Sequence, residues 1–218
     1  MKIRYLGHAC FRLTAEDGTT LVIDPYQPGG FNGALRYGPI RMPADAVLIS
    51  HGHADHNDEQ GVPGEHQVIR TAGTFQVKSA RIRGVENYHD DEGGAKRGRI
   101  VLFNVEMDGV RVCHLSDLGH IATPQELSAL GGIDVLLVPV GGTYTIDAVE
   151  AARLVQAFQP RIAIPMHYRT GKTDLPLGPV DDFLWSFANV RQVQGSELEV
   201  TPDTLPPPTE VVVLLPAL

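Results

Sequence analysis

Largely apolar, β-rich runs on either side of an Asp-Gly pair predict two β-hairpins. They span residues 11–24 and 101–117, with Asp17-Gly18 and Asp108-Gly109 at their turns. An Asp-Gly pair between β-rich runs favours a tight turn, because glycine tolerates the positive φ that such turns need. Each hairpin's second strand is predicted to end on an aspartate, Asp24 or Asp117. This layout indicates an internal two-fold repeat, with coincidence as the alternative.

The rest of the chain alternates strands with helices. Apolar runs predict buried strands at residues 46–50, 133–139, 161–165 and 210–215. The polar, glycine-rich stretch 84–98 is predicted to be a long loop. Strand hairpins followed by strand–helix alternation predict a layered α/β sandwich, and no linker interrupts the single domain expected over residues 1–218.

Two helices carry start and stop signals. Thr123 and Glu126 have capping-box spacing, as do Asp147 and Glu150. Gly131-Gly132 is expected to close the first helix and Pro160 the second. Both helices should therefore be short and sharply bounded.

Composition excludes several classes of protein. The chain has 218 residues, 43% of them hydrophobic, and a formal net charge of −8. It lacks an apolar run long enough to cross a bilayer, and its start does not resemble a signal peptide. Cys10 and Cys113 are too few for a disulfide framework or a cysteine zinc site. These features predict a cytoplasmic protein for which nucleic acid is an improbable partner.

Histidine is the conspicuous residue, with nine in the chain. Three of them fall in Ser50-His51-Gly52-His53-Ala54-Asp55-His56-Asn57, directly after a predicted buried strand. Imidazole and carboxylate groups suit zinc, iron or manganese, and the absence of thiolate favours a metal that performs chemistry. A solvated polar loop and a purely structural metal site are the alternatives.

This segment resembles the His-x-His-x-Asp-His motif of the metallo-β-lactamase superfamily. Three later residues match the isolated histidine, the strand-end aspartate and the last histidine of that pattern: His89, Asp117 and His167. Asp24 resembles the early aspartate that supports the metal loop without binding metal. The resemblance implies a four-layer αββα sandwich and a metal-dependent hydrolase.

The same resemblance implies two divalent ions, with zinc expected and manganese or iron as alternatives. The first ion is expected on His51, His53 and His89. The second is expected on Asp55, His56 and His167. Asp117 would bridge the two, and Asp55 and Asp117 are the expected catalytic residues. The ligands come from four separate segments, so metal binding should also hold the fold together.

Further segments are similar to a small hydrolase branch that includes L-ascorbate 6-phosphate lactonase. They are residues 5–11, 141–145 and 166–168, and the similarity runs from about residue 4 to residue 170. One departure is Ser116, which stands where the family commonly has glycine before the bridging aspartate. Its side chain is expected to crowd or hydrogen-bond that carboxylate.

The implied reaction is hydrolysis of a small ester, lactone, amide or phosphodiester by a hydroxide shared between two metal ions. Two alternatives remain open from sequence. One is a mononuclear iron oxygenase of the same superfamily, because that branch keeps the same first motif. The other is a metal-binding pseudo-enzyme without turnover.

The other histidines have weaker support as ligands. On a regular strand, His114 and Asp117 would face opposite sides, so His114 is expected to point away from the metals, with ligation in place of His89 as the alternative. His8 and His120 are candidates for the cleft. His66 has no supporting context and is expected to be solvated.

Substrate identity and oligomeric state are not indicated by the sequence. The pocket is expected to be shaped by loops around residues 26–37, 84–98 and 168–177. Arg36, Arg97, Arg169 and Lys172 could receive an anionic group of a small-molecule substrate. Ordinary solvated surface charge is the simpler interpretation of each.

Overall fold

Two β-sheets face each other in the computed structural model, which describes residues 1–218 apart from the side chains of residues 124 and 127. The strands of the first sheet are β1 (Lys2–Gly7), β2 (Cys10–Thr14), β3 (Thr20–Ile23), β4 (Ala46–Leu48), β5 (Gln67–Ile69) and β13 (Glu197–Glu199). Their order across the sheet is β13-β1-β2-β3-β4-β5.

The second sheet has eight strands. They are β6 (Gly73–Val77), β7 (Ala80–Tyr88), β8 (Arg99–Met107), β9 (Val110–His114), β10 (Val135–Pro139), β11 (Ile162–Met166), β12 (Val190–Gln192) and β14 (Glu210–Val213). Their order is β12-β14-β11-β10-β9-β8-β7-β6.

Helices are few and short. They are α1 (Gly30–Gly33), α2 (Pro124–Leu130), α3 (Ala148–Phe158) and α4 (Asp181–Leu184), with 3₁₀ turns at Glu59–Gly61 and Pro202–Thr204. Within α1, Phe31 and Asn32 have left-handed backbone angles, so this element is a tight turn more than a helix. Across the described residues, none of these helices has the length and apolar character that crossing a membrane requires.

Alternation along the strands produces the layers. Phe11 and Leu13 of the first sheet and Phe103 and Val105 of the second bury into one shared core between the sheets. The opposite face of the second sheet packs under α2, α3 and α4 in a second cluster. The outer face of the first sheet is covered mainly by the loop of residues 26–44. The α/β, αββα sandwich predicted from the sequence is confirmed, with one outer layer built mostly of loop.

The predicted hairpins and helices form. The β2–β3 and β8–β9 pairs are antiparallel around the two Asp-Gly turns. Each of α2 and α3 begins at its predicted capping box, with Thr123 and Asp147 accepting hydrogen bonds from the backbone N–H groups of Glu126 and Glu150.

Several sequence-based boundaries differ from the structure by one or two residues, and those of β9 and β7 differ most. Strand β9 ends at His114 and does not reach Asp117, because Ser116 adopts a left-handed φ of 49° that a strand cannot contain. Residues 84–88 belong to β7, so the predicted 84–98 loop comprises only residues 89–98. Gly84 is a strand residue at a close approach, because a Cβ atom there would lie 2.7 Å from the carbonyl oxygen of Thr71.

The pairing pattern repeats between the sheets. From β1 to β5 the successive pairings are antiparallel, antiparallel, parallel and parallel. From β7 to β11 they follow the same sequence. The internal two-fold layout indicated by the hairpins is therefore present in the topology. In both halves the parallel strands direct their carboxyl ends to loops where ligands can bind.

Candidate metal centre

The segments that leave the strands converge on one buried cluster of histidines and aspartates. Asp24 follows β3, the histidine-rich segment 51–57 follows β4, and His89 follows β7. Asp117 follows β9 and His167 follows β11. Except for His51 and His53, the residues predicted as ligands are buried. The structure thus brings together all seven predicted residues from four separate parts of the chain.

Asp117 lies at the centre of this cluster. Its Oδ2 atom is 3.2 Å from Nε2 of His56, 3.3 Å from Nε2 of His89 and 3.8 Å from Nε2 of His51. Its Oδ1 atom is 3.5 Å from Nε2 of His167. The two oxygens of one carboxylate thus face histidines from different segments of the chain.

Three overlapping groups have ligand atoms that lie within 4.8 Å of one another. They are His51, His53 and His89; His51, His56 and Asp117; and His8, Asp55, His56 and His167. The first group matches the set predicted for one ion, and the last contains the set predicted for the other. His8 is the addition, because its Nε2 atom lies 3.0 Å from Oδ2 of Asp55.

The donor atoms fit divalent cations. Within the described part of the chain, Oδ1 of Asp55, Oδ1 of Asp117, Nε2 of His56 and Nε2 of His167 are buried without a hydrogen-bond partner. Buried polar atoms are almost always paired, so a cluster of orphaned acceptors needs a ligand to complete it. Nitrogen and carboxylate oxygen without sulfur form the donor set of catalytic zinc, manganese and iron centres.

Asp24 orients the histidine-rich segment from outside the cluster. Its carboxylate accepts hydrogen bonds from the backbone N–H of Ser50 (2.8 Å), the hydroxyl of Ser50 (2.7 Å) and Nδ1 of His56 (2.9 Å). Because His56 donates through Nδ1, its Nε2 lone pair can face a cation. The residue expected to support the metal loop thus contacts that loop at three points.

The tautomer of His51 is fixed in the same way. The single hydroxyl proton of Ser50 goes to Asp24, so the Ser50 oxygen accepts a hydrogen bond from Nδ1 of His51 at 2.9 Å. This leaves the Nε2 lone pair of His51 for a metal. That atom lies 3.0 Å from Nδ1 of His53, a separation suited to two nitrogens sharing one cation.

Burial and charge set the protonation states of the metal-free cluster. Burial opposes ionisation of Asp117, but His167 and His56 outweigh it and hold the pKa of Asp117 well below its usual range. Burial lowers the pKa of His51 to about 3 and that of His167 to about 4. The surrounding carboxylates overcome burial and raise the pKa of His56, so a cation bound there must displace a proton from this histidine. His51 and His167 are therefore neutral at pH 7, as metal ligands must be.

The remaining histidines lie outside the three groups. His114 contacts the carbonyl oxygen of Ala9 through Nε2 (2.8 Å). His120 contacts Oδ1 of Asn87 (2.6 Å), and His66 contacts the carbonyl oxygen of Gly64 (3.1 Å).

Ser116 behaves differently from the sequence-based expectation. Its hydroxyl donates to the hydroxyl of Ser50 at 2.6 Å and makes no hydrogen bond to Asp117 among the described contacts. Its φ of 49° lies in the left-handed region, which explains why glycine suits this position in the family. The Ser116–Ser50 contact links the loop after β9 to the loop after β4.

Two glycines have a packing role that the sequence did not indicate, because they allow ligand-bearing backbone to approach closely. A Cβ atom at Gly119 would lie 2.3 Å from the carbonyl carbon of His89, and one at Gly141 would lie 2.2 Å from the carbonyl oxygen of His167. Both contacts are with backbone atoms, which cannot move aside cheaply. No local sequence signal could have identified them, because each depends on packing between distant segments.

A cleft of about 260 Å³ opens over the cluster. Its lining combines cluster residues with side chains from the surrounding loops: His53, Asp55, His89, Asp117, Phe31, Arg97, Tyr144 and Leu175. Phe31, Arg97 and Leu175 each come from one of the three loops expected to shape the pocket. Tyr144 comes from the 140–146 segment, which was not among them.

Comparisons with known proteins agree with this geometry. The profile of the β-lactamase superfamily domain matches residues 2–167. A UPF0173 metal-dependent hydrolase of Archaeoglobus fulgidus is 31% identical over 92% of this chain and 94% of its own length. A second UPF0173 metal-dependent hydrolase, from Thermococcus onnurineus, is 30% identical over 78% of this chain and 85% of its own.

A solved structure extends the similarity to the whole fold. It is a proposed zinc-dependent hydrolase of the metallo-β-lactamase superfamily from Thermotoga maritima, 40% identical in sequence, with a TM-score of 0.80. The match covers 98% of this chain and 97% of that one. Sequence and fold therefore point to the same superfamily.

Proposed function

The chain belongs to the β-lactamase superfamily and is a metal-dependent hydrolase, and from this premise we propose that it cleaves a small ester, lactone, amide or phosphodiester with two bound divalent cations. The observation that carries the proposal is the set of overlapping ligand groups around Asp117. It includes buried ligand atoms on Asp55, Asp117, His56 and His167 that have no hydrogen-bond partner within the described residues. The cleft of about 260 Å³ above them suits a small molecule.

His51, His53 and His89 would hold one cation, and Asp55, His56 and His167 the other, with Asp117 shared between them. Zinc is our first choice, because the donors are imidazole and carboxylate and the Thermotoga maritima relative is a proposed zinc-dependent hydrolase. When bound, such cations polarise the scissile group and lower the pKa of water towards about 7.

The protein's own groups position the reaction and handle its protons. Asp55 lines the cleft, so its carboxylate would lie beside the attacking water and could take up the proton of that water. Its Oδ2 atom is held by Nε2 of His8 at 3.0 Å, which fixes the carboxylate's orientation. Phe31, Tyr144 and Leu175 supply apolar walls that limit water around the reacting bond.

The unpaired cysteines support a reducing compartment such as the cytoplasm. Cys10 and Cys113 are buried as free thiols. Burial raises the pKa of both, so neither thiol is poised as a nucleophile. This agrees with a reaction carried by the metal centre.

The test is a double variant, His51→Ala with His53→Ala, measured for metal content and for turnover of lactone, phosphodiester and β-lactam substrates. Both metal and turnover should be lost, because the variant removes two ligands of one cation and one contact to Asp117. His66→Ala removes a histidine outside the cluster and should change neither. Full turnover by the metal-free double variant would refute the proposal. One iron per chain with a visible absorption band would instead support oxygenase chemistry.

A further inference from the structure

The cleft over the metal cluster has one positively charged side chain in its lining, as far as the described residues show. Arg97 shares the cleft with apolar groups of Phe31, Tyr144 and Leu175 and with the ligand-bearing floor formed by His53 and Asp117. The sequence suggested four cationic residues as anion receptors, and among the described residues only Arg97 of these lines the cleft. A cation beside apolar walls suits a ligand with an anionic end and an apolar body.

Arg97 is carried by a tightly organised loop. Asp90, immediately after His89, is buried and accepts four backbone hydrogen bonds within residues 92–97. The last of these comes from the N–H of Arg97 itself, at 2.7 Å. These four donors surround the Asp90 carboxylate and so fix the loop that carries Arg97.

The guanidinium of Arg97 extends across the cleft and retains free hydrogen-bonding capacity. Its Nη2 donates to the carbonyl oxygen of Thr143 at 3.1 Å, and its central carbon lies 5.8 Å from the ring centroid of Tyr144. Arg36 and Arg99 pair with carboxylates, whereas no ion pair among the described residues includes Arg97. A guanidinium has five N–H donors in a planar fork, so most of them remain for a ligand.

We infer that Arg97 is the specificity-determining residue of the cleft and that it selects small substrates bearing a carboxylate or phosphate group away from the scissile bond. The anionic group binds the guanidinium at the rim, and the apolar part packs on Phe31, Tyr144 and Leu175. The reacting bond then lies over His53, His89 and Asp117. This inference rests on the proposed function for the reaction, but not for the binding.

The test is equilibrium binding by isothermal titration to the metal-loaded protein. The probes are 3-phenylpropionate, its neutral amide and phenyl phosphate, so that charge varies while the aromatic body is kept. Arg97→Gln should lower the affinity for both anions about tenfold, because an exposed charge-assisted hydrogen bond contributes about 1.5 kcal/mol to binding. The amide should bind equally to the wild type and to this variant. Arg97→Lys should recover part of the loss, since it keeps the charge but not the fork.

Arg99→Gln is the matched control. It removes the same charge two residues away, from a side chain that pairs with Glu86 and does not line the cleft. Anion affinity in this control should match the wild type. An equal loss in Arg97→Gln and Arg99→Gln, an equal loss for the amide, or no binding of either anion at millimolar concentration would overturn the inference. The relative affinities of the two anions identify which group the site prefers.

Binding and reaction can fail separately. Anion binding that depends on Arg97, without turnover of any ester, lactone, amide or phosphodiester, would refute the proposed reaction and leave the anion site standing. Turnover together with an anion affinity that does not change in Arg97→Gln would support the proposed reaction and refute the anion site.

Discussion

Replacing Asp24 by asparagine removes a buried charge while keeping the size of the side chain. Asp24 is fully buried and accepts three hydrogen bonds, two from Ser50 and one from His56. The amide oxygen can still accept from the Ser50 N–H, as Oδ1 does. The NH₂ group then replaces Oδ2 and faces two other donors, the Ser50 hydroxyl and Nδ1 of His56. Two charge-assisted bonds are lost as a result.

Each such bond contributes about 1.5–3 kcal/mol. The loss is below the sum, because the uncharged amide also avoids the desolvation cost of a buried ion. We therefore expect Asp24→Asn to lower the free energy of unfolding of the metal-free protein by about 3 kcal/mol. Metal affinity should fall by about 10–100-fold, as expected when a group that orients a ligating histidine is removed.

Urea denaturation of the metal-free protein measures the first quantity, and competition with a chromophoric chelator measures the second. Asp45→Asn is the control, because Asp45 is a partly exposed carboxylate that accepts a hydrogen bond from Thr20 and pairs with Lys78. That variant should lose less than about 1 kcal/mol and keep its metal affinity. Equal stability losses in the two variants, with metal affinity unchanged in both, would show that Asp24 does not hold the metal loop.

Two other changes test the cluster. Gly119→Ala and Gly141→Ala should each weaken metal binding and lower the free energy of unfolding by about 2 kcal/mol or more, because the added methyl group meets the backbone of His89 or His167. Gly195→Ala is the control, since its methyl group meets nothing within 4 Å. Denaturation and metal titration of the three variants measure these effects. The folded-state pKa values of His51 and His167, about 3 and about 4, lie below the usual 6.5. The unfolded chain therefore binds these protons more tightly than the folded protein does. The free energy of unfolding of the metal-free protein should fall as pH drops from about 6.5 towards 4, by up to about 2.7 kcal/mol per pH unit for the two histidines together. Urea titrations at a series of pH values measure this slope, and a flat profile would contradict it.

Local signals in the sequence were enough for much of the fold. The capping boxes at Thr123 and Asp147 predicted both helix starts, because a cap depends only on residues three positions apart. The Asp-Gly pairs predicted both hairpins for a similar reason. The edge strand β13 was missed, because its Glu-Leu-Glu sequence contains no apolar run like the one that identified β4. Part of β7 was mistaken for loop, because residues 84–98 are polar and rich in glycine.

The candidate site divides in the same way. The spacing within residues 51–56 is a local signal, and family resemblance added His89, Asp117 and His167. The contact between His8 and Asp55 depends on how β1 and the metal loop pack, and the sequence left His8 as an undecided candidate for the cleft. The sequence could not distinguish Arg97 from Arg36 as an anion receptor. Arg36 is already paired with Asp174, and this contact is visible only in the folded structure.

The pairing of β1 with both β2 and β13 has a consequence for the order of folding. Its register places Lys2 opposite Glu199, so one edge of β1 acquires its partner only after residue 199 has been synthesised. Likewise, the backbone N–H of His167 donates to the carbonyl oxygen of His8 at 2.8 Å. Such long-range closure has a high entropic cost before any contact stabilises it, so we expect slow folding and late assembly. Until β13 pairs with it, β1 has an open edge that strands of other chains can bind. Dilution or a chaperone should therefore increase the yield of native protein during refolding.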